Sequence, residues 1–276
     1  MDVTGRTKVL GIFGFPVEHT LSPLMHNAAF RALGLDMCYL PFRVTPEDLP
    51  QALNAIRALN FPGVNITVPH KEKVIPLLDE VDNEALFIGA VNTIVNSNRR
   101  LKGYNTDGRG FVMSLSEEKI VIKDREVLII GAGGASRAIS YYLSETAQRL
   151  FLYDIDMAKA VSLVNDFKKI RDNIFLIDDI KNVKNFDIVI NATPLGLRPQ
   201  DPLPLNPELI TSRMIVCDLI YKKTEFLKEA ENKGAKILDG LGMLLWQGVL
   251  AFELWTGMKA PVDVMRKALQ SGFKVY

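Results

Sequence analysis

Apolar and polar positions alternate between two periods along the first part of the chain. Short apolar runs, typical of buried strands, are followed by segments whose apolar positions recur at helical spacing. The predicted elements are strands at Lys8–Phe13, Cys38–Arg43 and Gly63–Thr67, helices at Ser22–Leu33, at Pro46–Leu59 and opening at Pro69, and a hairpin of Ala90–Val95 and Arg99–Gly103 turned at Ser97-Asn98. This βα alternation predicts a largely parallel sheet with helices on its faces.

A second series of the same kind begins after Lys123. Its predicted elements are strands at Val127–Ile130, Leu150–Asp154, Asp187–Asn191, Ile215–Leu219 and Ala235–Leu238, and helices at Ala135–Ser144 and Met157–Lys168. Gly and Asn interrupt the pattern at 105–110, and we expect the two halves to separate there. The sequence therefore predicts two α/β domains.

The tail contains a strongly apolar helix, predicted over Leu241–Thr256. It follows the last strand of the second series and needs an apolar surface to cover it. We expect it to pack back onto the first half of the chain.

Composition narrows the class of protein. The 276 residues carry 33 Lys and Arg against 32 Asp and Glu, a formal net charge of +1, so the cationic surface of a nucleic-acid binder is not expected. A polar N-terminus and the absence of an apolar run of roughly 20 residues argue against a signal peptide and a membrane span. Cys38 and Cys217 form no metal-binding or redox motif and are expected to be buried free thiols. These features indicate a cytoplasmic protein. They do not distinguish a monomer from a homodimer, and both stay open.

A glycine-rich turn lies between the first strand and the first helix of the second half. It reads Gly131-Ala132-Gly133-Gly134-Ala135-Ser136, the setting that a dinucleotide-binding loop requires. The first glycine permits the tight turn, the second lets a pyrophosphate approach the backbone, and Ser136 takes the third, helix-packing position. The helix that follows directs its N-terminal N–H groups and dipole toward the phosphates. Helix–strand packing alone is the simpler alternative for such a turn.

Asp154 ends the next predicted strand, where an acidic residue binds the adenosine ribose in this class of site. A carboxylate within about 4 Å of a 2′-phosphate would cost roughly 1–4 kcal/mol per charge pair. NAD is therefore favoured over NADP, although Arg137 and Lys159 could partly offset the repulsion. An ordinary polar residue at a strand end is the alternative interpretation of Asp154.

Four segments of the first half carry candidate substrate-binding groups. They are His19-Thr20-Leu21-Ser22-Pro23, Asn65-Ile66-Thr67-Val68-Pro69-His70-Lys71, Gly89-Ala90-Val91-Asn92-Thr93 and Gly103-Tyr104-Asn105-Thr106-Asp107-Gly108. In the first segment, the hydroxyls of Thr20 and Ser22 are expected to point to the same side of an extended chain. Each has a structural alternative: Ser22 and Asp107 could cap helices, and Lys71 could be solvated. His19, His26 and His70 lack metal-ligand spacing, so structural hydrogen bonding is the preferred interpretation.

Two further motifs lie in the second half and the tail, Asn191-Ala192-Thr193-Pro194-Leu195-Gly196 and Gly240-Leu241-Gly242-Met243-Leu244-Leu245-Trp246-Gln247. Together with the four segments above and the glycine-rich turn, they resemble the motifs of the shikimate dehydrogenase family, and the resemblance covers nearly the whole chain. The resemblance implies an N-terminal substrate domain of residues 1–107 plus 240–276, a Rossmann-type dinucleotide domain of residues 108–239, and an active site in the cleft between them. It also implies a reversible NAD(P)-dependent reduction of 3-dehydroshikimate to shikimate in the chorismate pathway. NADP is the commoner cofactor in that family.

The resemblance assigns roles by position. Lys71 and Asp107 are the implied catalytic pair, since an amine can exchange the hydroxyl proton while a carboxylate orients it and shares its charge. The implied substrate-binding residues are Thr20, Ser22, Thr67, Asn92, Tyr221 and Gln247, and the implied cofactor-binding residues are Gly131, Ala132, Gly133, Gly134, Ala135, Asp154, Thr193, Leu219, Gly240 and Met243. No metal is implied.

Three departures from the family pattern affect specificity. Thr20 stands where serine is more usual, which leaves quinate-like acids open as substrates. Asp154-Ile155-Asp156 replaces the Asn-Arg-Thr typical of NADP-using members. The loop after Tyr221 is shorter than usual and lacks its proline.

Three other functions remain open at this point. One is a catabolic NAD-dependent quinate/shikimate dehydrogenase, and another is a dehydrogenase for an amino acid or folate on a similar scaffold. The third is a non-catalytic dinucleotide sensor, which would have no need of both Lys71 and Asp107.

Overall fold

The computed structural model describes residues 3–180 and 186–273. By its contacts the chain forms two compact units, one of Met1–Thr106 with Leu245–Tyr276 and the other of Asp107–Leu244. The domain bounds predicted from the sequence, residues 1–107 plus 240–276 and residues 108–239, stay a prediction.

The first unit contains an α/β arrangement in which a strand is repeatedly followed by a helix. Its elements are β1 (Lys8–Gly14), α1 (Ser22–Ala32), β2 (Met37–Arg43), α2 (Leu49–Ala58), β3 (Gly63–Ile66), β4 (Glu80–Val81), α3 (Asn83–Ile88), β5 (Thr93–Ser97) and β6 (Arg100–Tyr104). The short β4 and α3 escaped the sequence prediction because neither has room for a recognisable periodicity.

The six strands of this unit form one mixed sheet in the order β2-β1-β3-β5-β6-β4. The β1–β2, β1–β3 and β4–β6 pairs are parallel, whereas β3–β5 and β5–β6 are antiparallel. The predicted hairpin is therefore present as β5–β6. Its turn is Asn98-Arg99, one residue later than predicted, and both residues have positive φ, as the tight turn of a hairpin requires.

The helix predicted to open at Pro69 is wrong. Residues 68–74 form turns, and only a short 3₁₀ helix, Ile75–Leu77, follows them. Two features oppose an α-helix here: the Lys71 carbonyl accepts a hydrogen bond from Val91 N at 2.8 Å, and Pro76 cannot donate within a helix. The helix predicted from Pro46 starts at Leu49 instead, after a turn closed by a Thr45–Asp48 side-chain hydrogen bond of 2.8 Å.

The tail helix α8 (Leu241–Thr256) has the predicted bounds, and α9 (Val262–Phe273) follows it. From Leu245 onward the chain belongs to the first unit. Trp255 Nε1 donates to the Ile94 carbonyl of β5 at 2.9 Å, and the Phe252 ring lies 5.5 Å from that of Phe30 in α1. These contacts cover the apolar face that the sequence left without a partner.

The second unit is a doubly wound α/β fold. Its elements are α4 (Asp107–Glu117), β7 (Glu126–Ile130), α5 (Gly134–Leu143), β8 (Arg149–Tyr153), α6 (Met157–Phe167), β9 (Ile174–Leu176), β10 (Ile188–Asn191), β11 (Ile215–Asp218), α7 (Glu225–Asn232) and β12 (Lys236–Leu238). Every pair in its sheet is parallel, and the strand order is β12-β11-β10-β7-β8-β9. This is the Rossmann order, and its reversal point lies between β7 and β10, where ligands bind in such sheets.

Buried aliphatic residues form the centre of the second sheet. Val127, Leu128, Ile129, Ile188 and Val189 are fully buried, as expected for parallel strands covered on both faces. Cys217 lies among them, and burial raises the pKa of its thiol to about 12; Cys38 is only half-buried, contrary to the prediction of two buried thiols. In the described part of the chain, no helix has the length and apolar character needed to cross a bilayer.

Candidate functional site

The turn before α1 brings the first two candidate hydroxyls together in a way that differs from the prediction. Leu21 has right-handed helical φ and ψ rather than an extended conformation. Thr20 Oγ1 therefore accepts a hydrogen bond from Ser22 N at 3.3 Å. Ser22 is the first residue of α1 and Leu21 is the N-cap residue, so Ser22 does not occupy the position that the helix-cap alternative gave it.

A buried hydrogen-bond network connects Ser22 to the centre of the first sheet. The hydroxyl of Tyr39 interacts with the Ser22 side chain and donates to Asn65 Oδ1 at 2.6 Å. Asn65 Nδ2 donates in turn to the Asn92 carbonyl and to Thr93 Oγ1, each at 3.0 Å. Burial raises the pKa of Tyr39 well above its usual range, so this phenol is protonated and acts as the donor.

Asn92 holds the turn that precedes Asp107. Its Oδ1 accepts from Thr106 N at 2.9 Å, and its Nδ2 donates to Thr106 Oγ1 at 2.9 Å. Thr106 Oγ1 also lies 3.1 Å from the Gln247 carbonyl, which links this turn to the tail helix. Asn65 and Thr106 lie within two of the four candidate segments but were given no individual role, and Tyr39 lies outside all four. A buried amide inside an apolar strand was the available signal for Asn65, whereas nothing in the sequence marked Tyr39.

Lys71 and Thr67 lie on the turns that follow β3. Thr67 N donates to the Phe13 carbonyl at 2.9 Å, and Thr67 O accepts from His70 N at 2.9 Å. Lys71 is half-buried, and its backbone is fixed by the bond from Val91 N. Main-chain hydrogen bonds thus fix the backbone at both residues.

Asp107 and Tyr221 belong to the second unit. Asp107 is the first residue of α4 and is 7% exposed, so its carboxylate lies in the first turn, where the helix dipole favours a negative charge. Tyr221 is 47% exposed in the loop after β11. Their substrate and catalytic roles stay predictions.

The glycine-rich loop follows β7 directly, with Gly133 as the residue before α5. Gly131 has a φ of +111°, and a Cβ there would lie 2.9 Å from the Ala192 carbonyl group, so the fold itself requires glycine. Gly133 has an ordinary φ of −82°, and a Cβ there would meet no protein atom within 4 Å. Neither conformation nor protein packing explains glycine at 133, whereas the approach of a bound pyrophosphate would.

Asp154 lies immediately after β8 and fixes the glycine-rich loop. Its Oδ2 accepts from Ala132 N at 2.7 Å, and its Oδ1 accepts from Asp156 N at 2.8 Å. The two cations considered for offsetting a 2′-phosphate have carboxylate partners: Arg137 pairs with Asp166 at 2.9 Å, and Lys159 pairs with Asp156 at 3.3 Å.

The remaining predicted cofactor residues occupy the second unit as well. Thr193 and Leu219 follow β10 and β11, so both lie at the carboxyl edge of the parallel sheet that also carries Gly131. Gly240 N donates to the Ile220 carbonyl at 2.9 Å, and Met243 is buried in the first turn of α8. The second sheet therefore places its predicted cofactor-binding loops at one edge, as a dinucleotide site requires.

The prediction that the histidines make structural hydrogen bonds holds for His70 but not for His26. His70 is buried and its Nε2 lies 2.8 Å from the Val44 carbonyl, whereas both nitrogens of buried His26 lack a hydrogen-bond partner. His26 stacks instead on Tyr39, with ring centroids 4.5 Å apart, and contacts Trp255. Within residues 3–180 and 186–273, no group of three or more His, Cys, Asp or Glu is placed to hold a metal ion.

His26 should make the protein sensitive to acid. Burial lowers its pKa from 6.5 to about 3, so below pH 6.5 the unfolded chain binds a proton that the folded chain excludes. Stability is then lost as the pH falls from 6.5 toward 3, by about 1.4 kcal/mol per pH unit from this group. We expect the free energy of unfolding of His26→Leu to fall less steeply with acid, measured by urea unfolding at several pH values.

The control for this prediction is His19→Gln, which changes an exposed histidine. The lowered pKa values of Asp79 and Asp166 also reduce stability in acid, but equally in all variants. Parallel curves for the wild type and His26→Leu would contradict the prediction.

Three family descriptions match the chain in order. They are the shikimate dehydrogenase substrate binding domain over residues 12–94, shikimate/quinate 5-dehydrogenase over residues 114–195, and the shikimate 5′-dehydrogenase C-terminal domain over residues 240–270. The shikimate dehydrogenase (NADP(+)) of Carboxydothermus hydrogenoformans is 47% identical over 98% of this chain and 99% of its own length. That of Desulforamulus reducens is 48% identical over 97% and 96%.

The chain belongs to the shikimate dehydrogenase family. Shikimate dehydrogenase structures share its fold closely. The Aquifex aeolicus enzyme superposes with a TM-score of 0.93 at 41% identity, covering 98% of this chain and all of its own. The Listeria monocytogenes enzyme in complex with shikimate and NAD gives 0.89 at 35% identity, covering 98% of both chains. Family membership confirms the predicted α/β class with a Rossmann-type unit.

Proposed function

We propose that this chain catalyses the reversible, dinucleotide-dependent reduction of 3-dehydroshikimate to shikimate, on the route to chorismate and the aromatic amino acids. The observation that carries the proposal is the buried amide and hydroxyl network of the first unit, in which Ser22, Asn65, Asn92 and Thr106 are linked through Tyr39 and Thr93. Groups of this kind make the directional hydrogen bonds that recognise a polyhydroxylated ring acid. Full-length similarity to shikimate dehydrogenases supports the same substrate.

The residues of the chain would divide the chemistry as follows. The dinucleotide supplies or accepts the hydride when bound, held by the loop Gly131–Ala135 and by Asp154. The Lys71 ammonium gives a proton to the ketone oxygen in reduction, and the amine takes it back in oxidation. Asp107 is proposed as the second catalytic group. Thr20, Ser22, Thr67, Asn92, Tyr221 and Gln247 are proposed to bind the ring acid.

We further propose that the chain prefers NAD to NADP. The Asp154 carboxylate is held in place by two backbone N–H groups, and the nearby Arg137 and Lys159 have carboxylate partners. A 2′-phosphate would therefore meet a fixed negative charge. The relatives from C. hydrogenoformans and D. reducens are named for NADP(+), so this preference would set the chain apart from them.

Initial rates at 340 nm test these proposals directly. Purified protein is assayed with shikimate and with quinate, each with NAD⁺ and with NADP⁺. Shikimate oxidation faster with NAD⁺ is the expected result. Oxidation favouring NADP⁺ would contradict the cofactor proposal alone, quinate as the preferred acid would favour the catabolic alternative left open by Thr20, and no turnover of either acid would contradict the proposed function.

A further inference from the structure

The carboxyl end of β11 carries a buried acidic residue that has no assigned role. Asp218 is 1% exposed and receives three hydrogen bonds. Its Oδ1 accepts from Ile220 N at 3.0 Å and from Asn191 Nδ2 at 3.1 Å, while its Oδ2 accepts from Thr224 Oγ1 at 2.7 Å. Burial of a carboxyl group is costly, and here all three compensating donors are uncharged.

Two of these bonds organise the loop after β11. Ile220 N and Thr224 Oγ1 lie on either side of Tyr221, so the Asp218 carboxylate closes the intervening turn. Thr224 is also the N-cap residue of α7, where its hydroxyl accepts from Leu227 N at 3.4 Å. The path of the loop that carries Leu219 and Tyr221 thus depends on Asp218.

The third bond extends to the loop after β10. Asn191, held by Asp218 through its Nδ2, accepts at its Oδ1 from Thr193 N at 3.1 Å and from Thr193 Oγ1 at 2.7 Å. Asn191 Nδ2 also donates to the Leu195 carbonyl at 3.0 Å. One carboxylate therefore fixes both loops that carry the proposed cofactor residues Thr193 and Leu219.

We propose that Asp218 is a positioning residue for dinucleotide binding, acting through the hydrogen bonds that join the loops after β10 and β11. The inference rests on the proposed function, because it assumes that these loops contact the cofactor. In this proposal the hydrogen bonds that Asp218 accepts position the two loops, and its negative charge is not required. In Asp218→Asn, one oxygen can still serve Ile220 and Asn191, and the new amide can donate to Thr224 Oγ1, a hydroxyl that both donates and accepts.

The test measures the Kd of NADH and of NADPH for the whole protein by calorimetry, together with kcat and KM for shikimate oxidation. We expect Asp218→Ala to weaken binding of the preferred dinucleotide by about tenfold or more, since it leaves three buried donors unpaired. Asp218→Asn should stay within about threefold of the wild type. Thr224→Val should weaken binding, whereas Thr224→Ser, which keeps the hydroxyl, should not.

Val216→Ala serves as the matched control for stability. Val216 is fully buried on the same strand, and its truncation should destabilise the second unit without removing a loop hydrogen bond. A Kd for Asp218→Ala no larger than that of Val216→Ala would overturn the positioning role. Equal losses in Asp218→Asn and Asp218→Ala would show that charge matters instead, and would overturn it too. A wild type that binds neither dinucleotide would contradict the proposed function itself.

Discussion

Replacing Lys71 with alanine should lower turnover of shikimate by about 10²- to 10⁴-fold, the usual contribution of a general acid–base group. The backbone at this position is tied to the chain around it by the Val91 N–H···O bond, which does not involve the side chain. The variant should therefore fold normally. Measured kcat is expected to fall much more than the affinity for dinucleotide, because Lys71 belongs to the unit that lacks the glycine-rich loop.

Lys73→Ala provides the matched control for this prediction. Lys73 lies on the same run of turns two residues later and is exposed, so its loss changes net charge equally. We expect that variant to keep wild-type turnover. Thermal unfolding of both variants monitors folding, and near-normal kcat in Lys71→Ala would remove Lys71 from the mechanism.

The parts of the fold that could be predicted are those with strong, long periodic patterns. The continuous apolar runs at β7, β10 and β11 and the apolar helix α8 were all recognised, because burial on both faces or on most faces leaves an unambiguous signature. β4, with two residues, and β9, with three, were missed because they are too short to show a periodic pattern. The helix at Pro69 was wrong because the bond from Val91 comes from a distant part of the chain, which local pattern cannot reveal.

In the candidate site, too, features with a local sequence motif could be predicted, whereas features that depend on contacts with distant residues could not. Side chains within recognisable motifs, such as Asn92 and Asp154, could be chosen as candidates from the sequence, since turns and strand ends limit where ligands can bind, and their roles stay predictions. Their hydrogen-bond partners could not be chosen in this way. Tyr39 of β2 reaches Asn65 of β3 across β1, the strand that lies between them, and Asp218 reaches Asn191 because β10 and β11 pair side by side. A buried polar network is a product of tertiary packing, so the local sequence does not show which residues will be hydrogen-bonded to one another.

Asp154→Asn combined with Ile155→Arg should shift cofactor preference toward NADP by about 10²-fold or more. The first change removes a charge that costs roughly 1–4 kcal/mol against a phosphate, and the second adds a guanidinium suited to phosphate. Ile155 is 92% exposed, so arginine fits there without repacking. The measurement is the ratio of kcat/KM for NADP⁺ to that for NAD⁺.

The single variants and a neighbouring control separate charge from structure in this prediction. Asparagine at 154 still offers an oxygen to Ala132 N and gives up only the exposed bond to Asp156 N, so the glycine-rich loop should be retained. Asp154→Ala loses both bonds and should weaken binding of both dinucleotides. Asp156→Asn removes a carboxylate two residues away at the N-cap of α6, where asparagine also caps well. It releases only the exposed Lys159 from a weak surface ion pair, so it should change the ratio far less. If Asp156→Asn shifted the ratio as much as Asp154→Asn, general surface charge rather than the fixed Asp154 carboxylate would determine cofactor choice.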